Sequence, residues 1–167
     1  MSKNNYFKGW YFKCSGNNKT IAFIPANHRT NGRETASLQV ITDETVFNIP
    51  FGSLKYSEKP LCVKIGDCEF SENGIKLNIK NDEITIKGEL RFSCISAIKY
   101  DIMGPFCIVP FMQCRHSVYS MKHLVNGLII VNGQRFGFEN GQGYIEGDGG
   151  SSFPDRYIWT QCCFENG

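Results

Sequence analysis

Apolar and polar residues alternate with a period of two through the middle of this chain, and that pattern limits the fold more than any other feature. Between Glu83 and Ser93, Ile84, Ile86, Leu90 and Phe92 fall on one face, while Thr85, Lys87, Glu89 and Arg91 fall on the other. The preceding segment repeats the pattern, with Ile75, Leu77 and Ile79 set against Lys76, Asn78 and Lys80. One dry face and one wet face is what an antiparallel sheet packed over a core requires. Asn81-Asp82 separates the two runs and reads as a hairpin turn. Asn-Gly pairs recur at 31–32, 73–74, 126–127, 132–133, 140–141 and 166–167, and both residues tolerate the positive φ of tight hairpins. Further strands are expected at 7–14, 20–25, 36–42, 44–49, 67–71, 128–131, 135–138, 143–147 and 156–164. No stretch carries a helical period with caps. The least strand-like stretch is 104–124, where Pro105 and Pro110 break any regular ladder. The expectation is an all-β, antiparallel meander curled into a barrel or flattened sandwich.

A chain of 167 residues fits one domain. No composition break, linker or repeat divides it, so 1–167 is read as a single β domain. The 18 basic and 16 acidic residues are scattered, which argues against a nucleic-acid footprint. No apolar run approaches the ~20 residues of a membrane helix. The polar start shows no secretory signal. Eight cysteines are present, but no C-x-x-C pair occurs. They are read as free thiols of a cytoplasmic protein, most of them small core residues. Three histidines without a close acidic cluster give poor ligand density, so no metal is expected. The run Asp155–Phe164 reads as a strand, and Asn166-Gly167 after it introduces a partner strand that is not there. The chain is therefore expected to be part of a longer protein.

Three segments resemble the tocopherol cyclase-like family. The first is Tyr6-Phe7-Lys8-Gly9-Trp10-Tyr11-Phe12-Lys13, similar to the family's aromatic opening. The second runs from Gly104-Pro105-Phe106 through Val109-Pro110-Phe111-Met112 to Cys114-Arg115-His116. The third is Gly143-Tyr144-Ile145-Glu146-Gly147-Asp148-Gly149, with Ser152-Phe153-Pro154 and then Tyr157, Trp159 and Gln161. The resemblance implies a lipocalin-like barrel that holds a prenylated or polyene-like ligand, and a second such domain beyond this chain. Plant members close a chromanol ring on a prenylated quinol, an isomerisation without a redox cofactor; related enzymes hydrate carotenoids or catalyse cycloadditions. Gly147 and Gly149 stand where the plant pattern carries Lys and Trp, a departure that points to another lipophilic ligand.

Such ring closure needs an acid for the alkene and a pocket that tolerates a cation. A carboxylic acid in an apolar site keeps its proton near neutrality, and aromatic faces stabilise a developing cation. Glu146 and Asp148 lie two apart and share a strand face with Tyr144. Asp148 is favoured as the acid, where a strand would aim it into a barrel mouth, and His116 is a candidate base. Trp10, Tyr144, Tyr157, Trp159, Phe111 and Arg115 are candidates for lining the ligand. Structural roles compete. Asp148 before a glycine run can cap a turn. Glu146 can pair with Arg115 or Arg156. His116 and His123 look extended and need not meet, Trp10 and Trp159 can be core, and His28 reads as a solvated loop residue. The glycine run lacks the Lys and helix of a phosphate loop. No G-x-S-x-G elbow marks a hydrolase. The rival function is a lipophilic-ligand carrier without catalysis.

Overall fold

A computed structural model describes residues 5–110, 112–152 and 158. It contains strands β1 (Tyr6–Gly16), β2 (Lys19–Thr30), β3 (Arg33–Thr42), β4 (Val46–Phe51), β5 (Lys55–Glu58), β6 (Leu61–Ile65), β7 (Cys68–Ser71), β8 (Gly74–Lys80), β9 (Thr85–Ser96), β10 (Cys114–Val131) and β11 (Gln134–Gly150). A short 3₁₀ helix, Gly104–Ile108, precedes β10. All strands join one antiparallel sheet in the order β4-β3-β2-β1-β11-β10-β9-β8-β7-β6-β5. The fold is thus all-β, as the alternation requires.

Several expected turns form where the residues demand them. Asn31 (φ 53°) and Gly32 (φ 81°) join β2 to β3, and Asn132 (φ 47°) and Gly133 (φ 85°) join β10 to β11. At the β8–β9 turn, the Asn81 side-chain oxygen accepts from the backbone N–H groups of Glu83 and Ile84. Two Asn-Gly pairs behave otherwise. Asn126-Gly127 and Asn140-Gly141 lie inside the long strands β10 and β11, facing each other at a β-bulge, where the Asn140 N–H donates to the Asn126 side chain over 2.9 Å. The stretch 104–124 is also corrected. The prolines confine irregularity to its first part, and from Cys114 onward it is strand. β5 and β6 were not anticipated, and the expected strand 156–164 lies outside the described residues apart from Ile158, which is in no regular element.

Connectivity forces the sheet to curl. β4 and β5 are its two free edges, yet residues 52–54 alone join them. A flat sheet of this width would hold the edges ~48 Å apart at ~4.8 Å per strand, far beyond the ~11 Å reach of three residues. Cross-sheet contacts record the closure. Phe70 on β7 packs on Phe12 of β1 (ring centroids 5.5 Å) and Phe23 of β2 (5.9 Å). Trp10 meets Tyr56 on β5 at 4.8 Å, and Lys8 pairs with Glu58 at 2.5 Å. The edges themselves are not hydrogen-bonded, so the molecule is an open, curled half-barrel. Its interior is filled. Trp10, Phe12, Phe23, Leu38, Phe70 and Phe136 are all buried there.

Candidate functional site

Strand parity puts the other face of β1 outside the curl. Trp10, Phe12 and Cys14 point into the core, so Phe7, Gly9 and Tyr11 point away from it. Residues directly opposed across an antiparallel pair share a face. One outward row therefore runs across the sheet from Asp148 through Gly9 and Ala26 to Ser37. A second row beside it runs from Glu146 and Tyr11 to Ile24, Gln39 and Asn48. Phe7 and His28 flank the first row on its other side. The first row is small in its middle, where Gly9 and Ala26 face each other. A Cβ added at Gly9 would sit 3.5 Å from the Ala26 Cβ, in ordinary contact, so backbone strain does not demand this glycine. Small residues between taller ones make a groove of about 500 Å³ across β11, β1, β2, β3 and β4.

The groove ends on a cluster of ionisable groups. β10 pairs with β11 so that His116 opposes Asp148 and Val118 opposes Glu146. His116 Nδ1 lies 2.9 Å from Asp148 Oδ1, and its Nε2 lies 3.6 Å from Glu146 Oε2. The Tyr144 hydroxyl donates to Glu146 Oε2 over 2.6 Å, and the Cys114 thiol donates to Asp148 Oδ1 at 3.8 Å. Both carboxylates line the groove, whereas His116 sits behind them. The hydrogen bond to Asp148 raises the His116 pKa above its ordinary value; burial opposes this, and the charges of Asp148 and Glu146 reinforce it. Burial, then the bond to Glu146, pushes the Tyr144 phenol up. Burial, then Glu146, does the same to Tyr11. Burial, then Asp148, pushes the Cys114 thiol up to about 11. The arrangement is two neutral phenols, a neutral thiol and an imidazole held between two carboxylates. It can store a proton beside an apolar surface.

The structure thus brings together Tyr144, Glu146, Asp148 and His116. Trp10 borders the groove from its place between Gly9 and Tyr11 on β1, while its ring is fully buried against Tyr56 and under Lys8. Arg115, one position from His116, points to the opposite face and donates to the Cys107 carbonyl, so it does not serve as the partner of Glu146. Asp148 does not cap a turn. β1 and β10 both continue pairing with β11 as far as Gly150, which keeps Asp148 within the ladder. The carboxylates also stand outside the curl rather than at a barrel mouth. His28 belongs to β2 and borders the groove instead of lying in a loop. Phe111, Tyr157, Trp159 and Arg156 lie outside the described residues. His123 is a core residue, with its Nδ1 2.9 Å from Ser120 Oγ and its ring 4.3 Å from that of Phe92. Burial lowers its pKa to about 4. Among the described residues no group of three or more His, Cys, Asp or Glu is placed to hold a metal ion. No helix of the described residues is long and apolar enough to cross a membrane. Sequence reasoning missed Phe7, Gly9, Tyr11, Ile24, Gln39 and Asn48, although Gly9 with Phe7 and Tyr11 two positions to either side was a usable signal.

Comparison with known proteins supplies partial likenesses. A 59-residue stretch is 34% identical to the probable chloroplastic tocopherol cyclase of Oryza sativa subsp. japonica. An equal stretch is 34% identical to the chloroplastic tocopherol cyclase of Zea mays. The stretch is 35% of this chain but 13% and 12% of those proteins, so only a small part of each is matched. No protein-family model matches. Among solved structures, a candidate AttH of Nitrosomonas europaea superposes with a TM-score of 0.47 at 14% identity, over 89% of this chain and 52% of that one.

Proposed function

We propose that this chain is a tocopherol cyclase-like domain that binds an apolar, prenylated or polyene-like ligand in the outer groove and closes a ring on it by acid assistance. One observation carries the reading: an apolar groove ends on an imidazole held between two carboxylates that both face the groove. The limited likeness to the Oryza and Zea cyclases supports it. Asp148 presents the proton to the ligand's alkene carbon. The proton adds to one alkene carbon and leaves the positive charge on the other. Tyr11, which lines the groove, stabilises the resulting cation. The ligand's own phenol oxygen then attacks this second, cationic carbon, forming the C–O bond, and its proton passes to Glu146. His116 returns the proton to Asp148, so the net change is an isomerisation.

A carrier without catalysis is the second reading. It is favoured by the satisfied state of the cluster, in which each carboxylate already has a partner. Incubation with a prenylated benzoquinol, followed by mass spectrometry, separates the two. The cyclase reading expects a product of unchanged mass with one fewer exchangeable hydrogen. Binding without conversion supports the carrier; absence of binding rejects both.

A further inference from the structure

Resting on the reading of the groove as the ligand site, we infer that its ligand is an elongated chain with a polar oxygen at each end, and that Gln39 and Asn48 select the far end. The groove crosses the strands rather than running along one. Its first end is the Glu146–Asp148 pair on β11, and its last lining residue is Asn48 on β4. Those strands are four steps apart in the sheet, ~19 Å at ~4.8 Å per step. An extended chain reaches from one end to the other, whereas a ligand held only at the carboxylates does not.

The far end is polar for a reason the fold does not require. Gln39 Nε2 donates to Asn48 Oδ1 over 2.8 Å, across the outward pair Gln39–Asn48. That bond uses one carboxamide donor and one acceptor. It leaves the Gln39 carbonyl and the Asn48 amide N–H groups for a ligand hydroxyl, which can donate to the first and accept from the second. Ser37 adds a hydroxyl beside them. Between the two ends the lining is mainly apolar, from Phe7, Tyr11, Ile24 and Ala26, with His28 at its border. A ligand polar at one end alone would bury hydrocarbon against these carboxamides.

Hexadecanediol, with a hydroxyl at each end, and hexadecanol are the probes. They are offered together at equal concentration to the full chain, and native mass spectrometry reads the ratio bound. The diol is expected to win by roughly tenfold, the scale of one hydrogen bond made rather than left unmade. Gln39→Leu and, separately, Asn48→Leu are expected to bring the ratio close to unity. Both positions are surface residues, and unchanged thermal unfolding of either variant shows that it folds. Equal binding of the two alcohols by the unaltered protein, or a preference that survives both substitutions, overturns the inference while leaving the groove as the site. Binding of neither overturns the groove reading as well.

Discussion

At the scale of single residues, the groove end depends on groups that each hold another in place. Asp148→Asn keeps the shape and most of the hydrogen bonding to His116 but removes a transferable proton. Turnover of a prenylated quinol is expected to fall roughly 10²–10⁴-fold, with thermal unfolding little changed; full turnover in both Asp148→Asn and Glu146→Gln would reject a carboxyl acid. The half-buried His116 and the buried His123 respond to pH in opposite senses. His116 has a folded pKa raised above 6.5, so its stabilising contribution is complete below 6.5 and is lost as pH rises through the folded value. His123 is lowered from 6.5 to about 4, so the unfolded chain binds the proton first and stability falls as pH drops through that interval. The loss on reaching about pH 4 amounts to roughly 3 kcal/mol. Urea titrations near neutrality and near pH 4 should therefore differ less in His123→Phe than in the unaltered protein. An equal acid loss in that variant would show that another group is responsible. The shared face of Tyr144, Glu146 and Asp148 was legible from their spacing of two. Their meeting with His116 was not, because it depends on the β10–β11 register, which no local pattern encodes.

At the scale of elements, β11 shows why alternation alone misplaces a site. Phe136 and Phe138 face the core at even positions, yet Ile145 faces it at an odd one. The bulge around Asn140 (φ 52°) inserts the extra residue that reverses the parity. Without it Glu146 and Asp148 would have pointed into the curl, where the sequence reading put them. The strands of 75–93 carry no such insertion, and there alternation and burial agree. The groove floor makes a second prediction. Gly9→Val adds a Cβ at ordinary contact distance and a residue that suits strands, so thermal stability should hold or rise. Its methyl groups fill the groove, and hexadecanol binding should fall by about tenfold or more. Unaltered binding would place the ligand elsewhere. Phe70 joins β7 to β1 and β2, and Phe70→Ala is expected to lose about 3–5 kcal/mol in urea unfolding. A loss near ~1 kcal/mol would mean that the curl is held mainly by other contacts.

At the scale of the whole molecule, the sequence conveyed an antiparallel all-β fold through its periodicity and turns, while closure was hidden in chain order. The linker 52–54 between the two free edges is what makes a half-barrel of a meander, and a linker has no periodicity to read. Thiol titration of the denatured, unreduced protein is expected to count eight free cysteines; four or fewer would contradict the reduced state. The six cysteines among the described residues are free. The same circular order bears on how the chain is made. β1 pairs with β2 at once, but its other neighbour is β11, with Trp10 opposite Gly147. Phe12 likewise waits for Phe70 to arrive from the far edge. A ribosome adding ~5–20 residues per second needs on the order of ten seconds to reach β11. Until Tyr56 and Phe70 emerge, the nascent first sheet displays Trp10 and Phe12 on an uncovered face, which gives chaperones a defined window in which to bind the emerging chain.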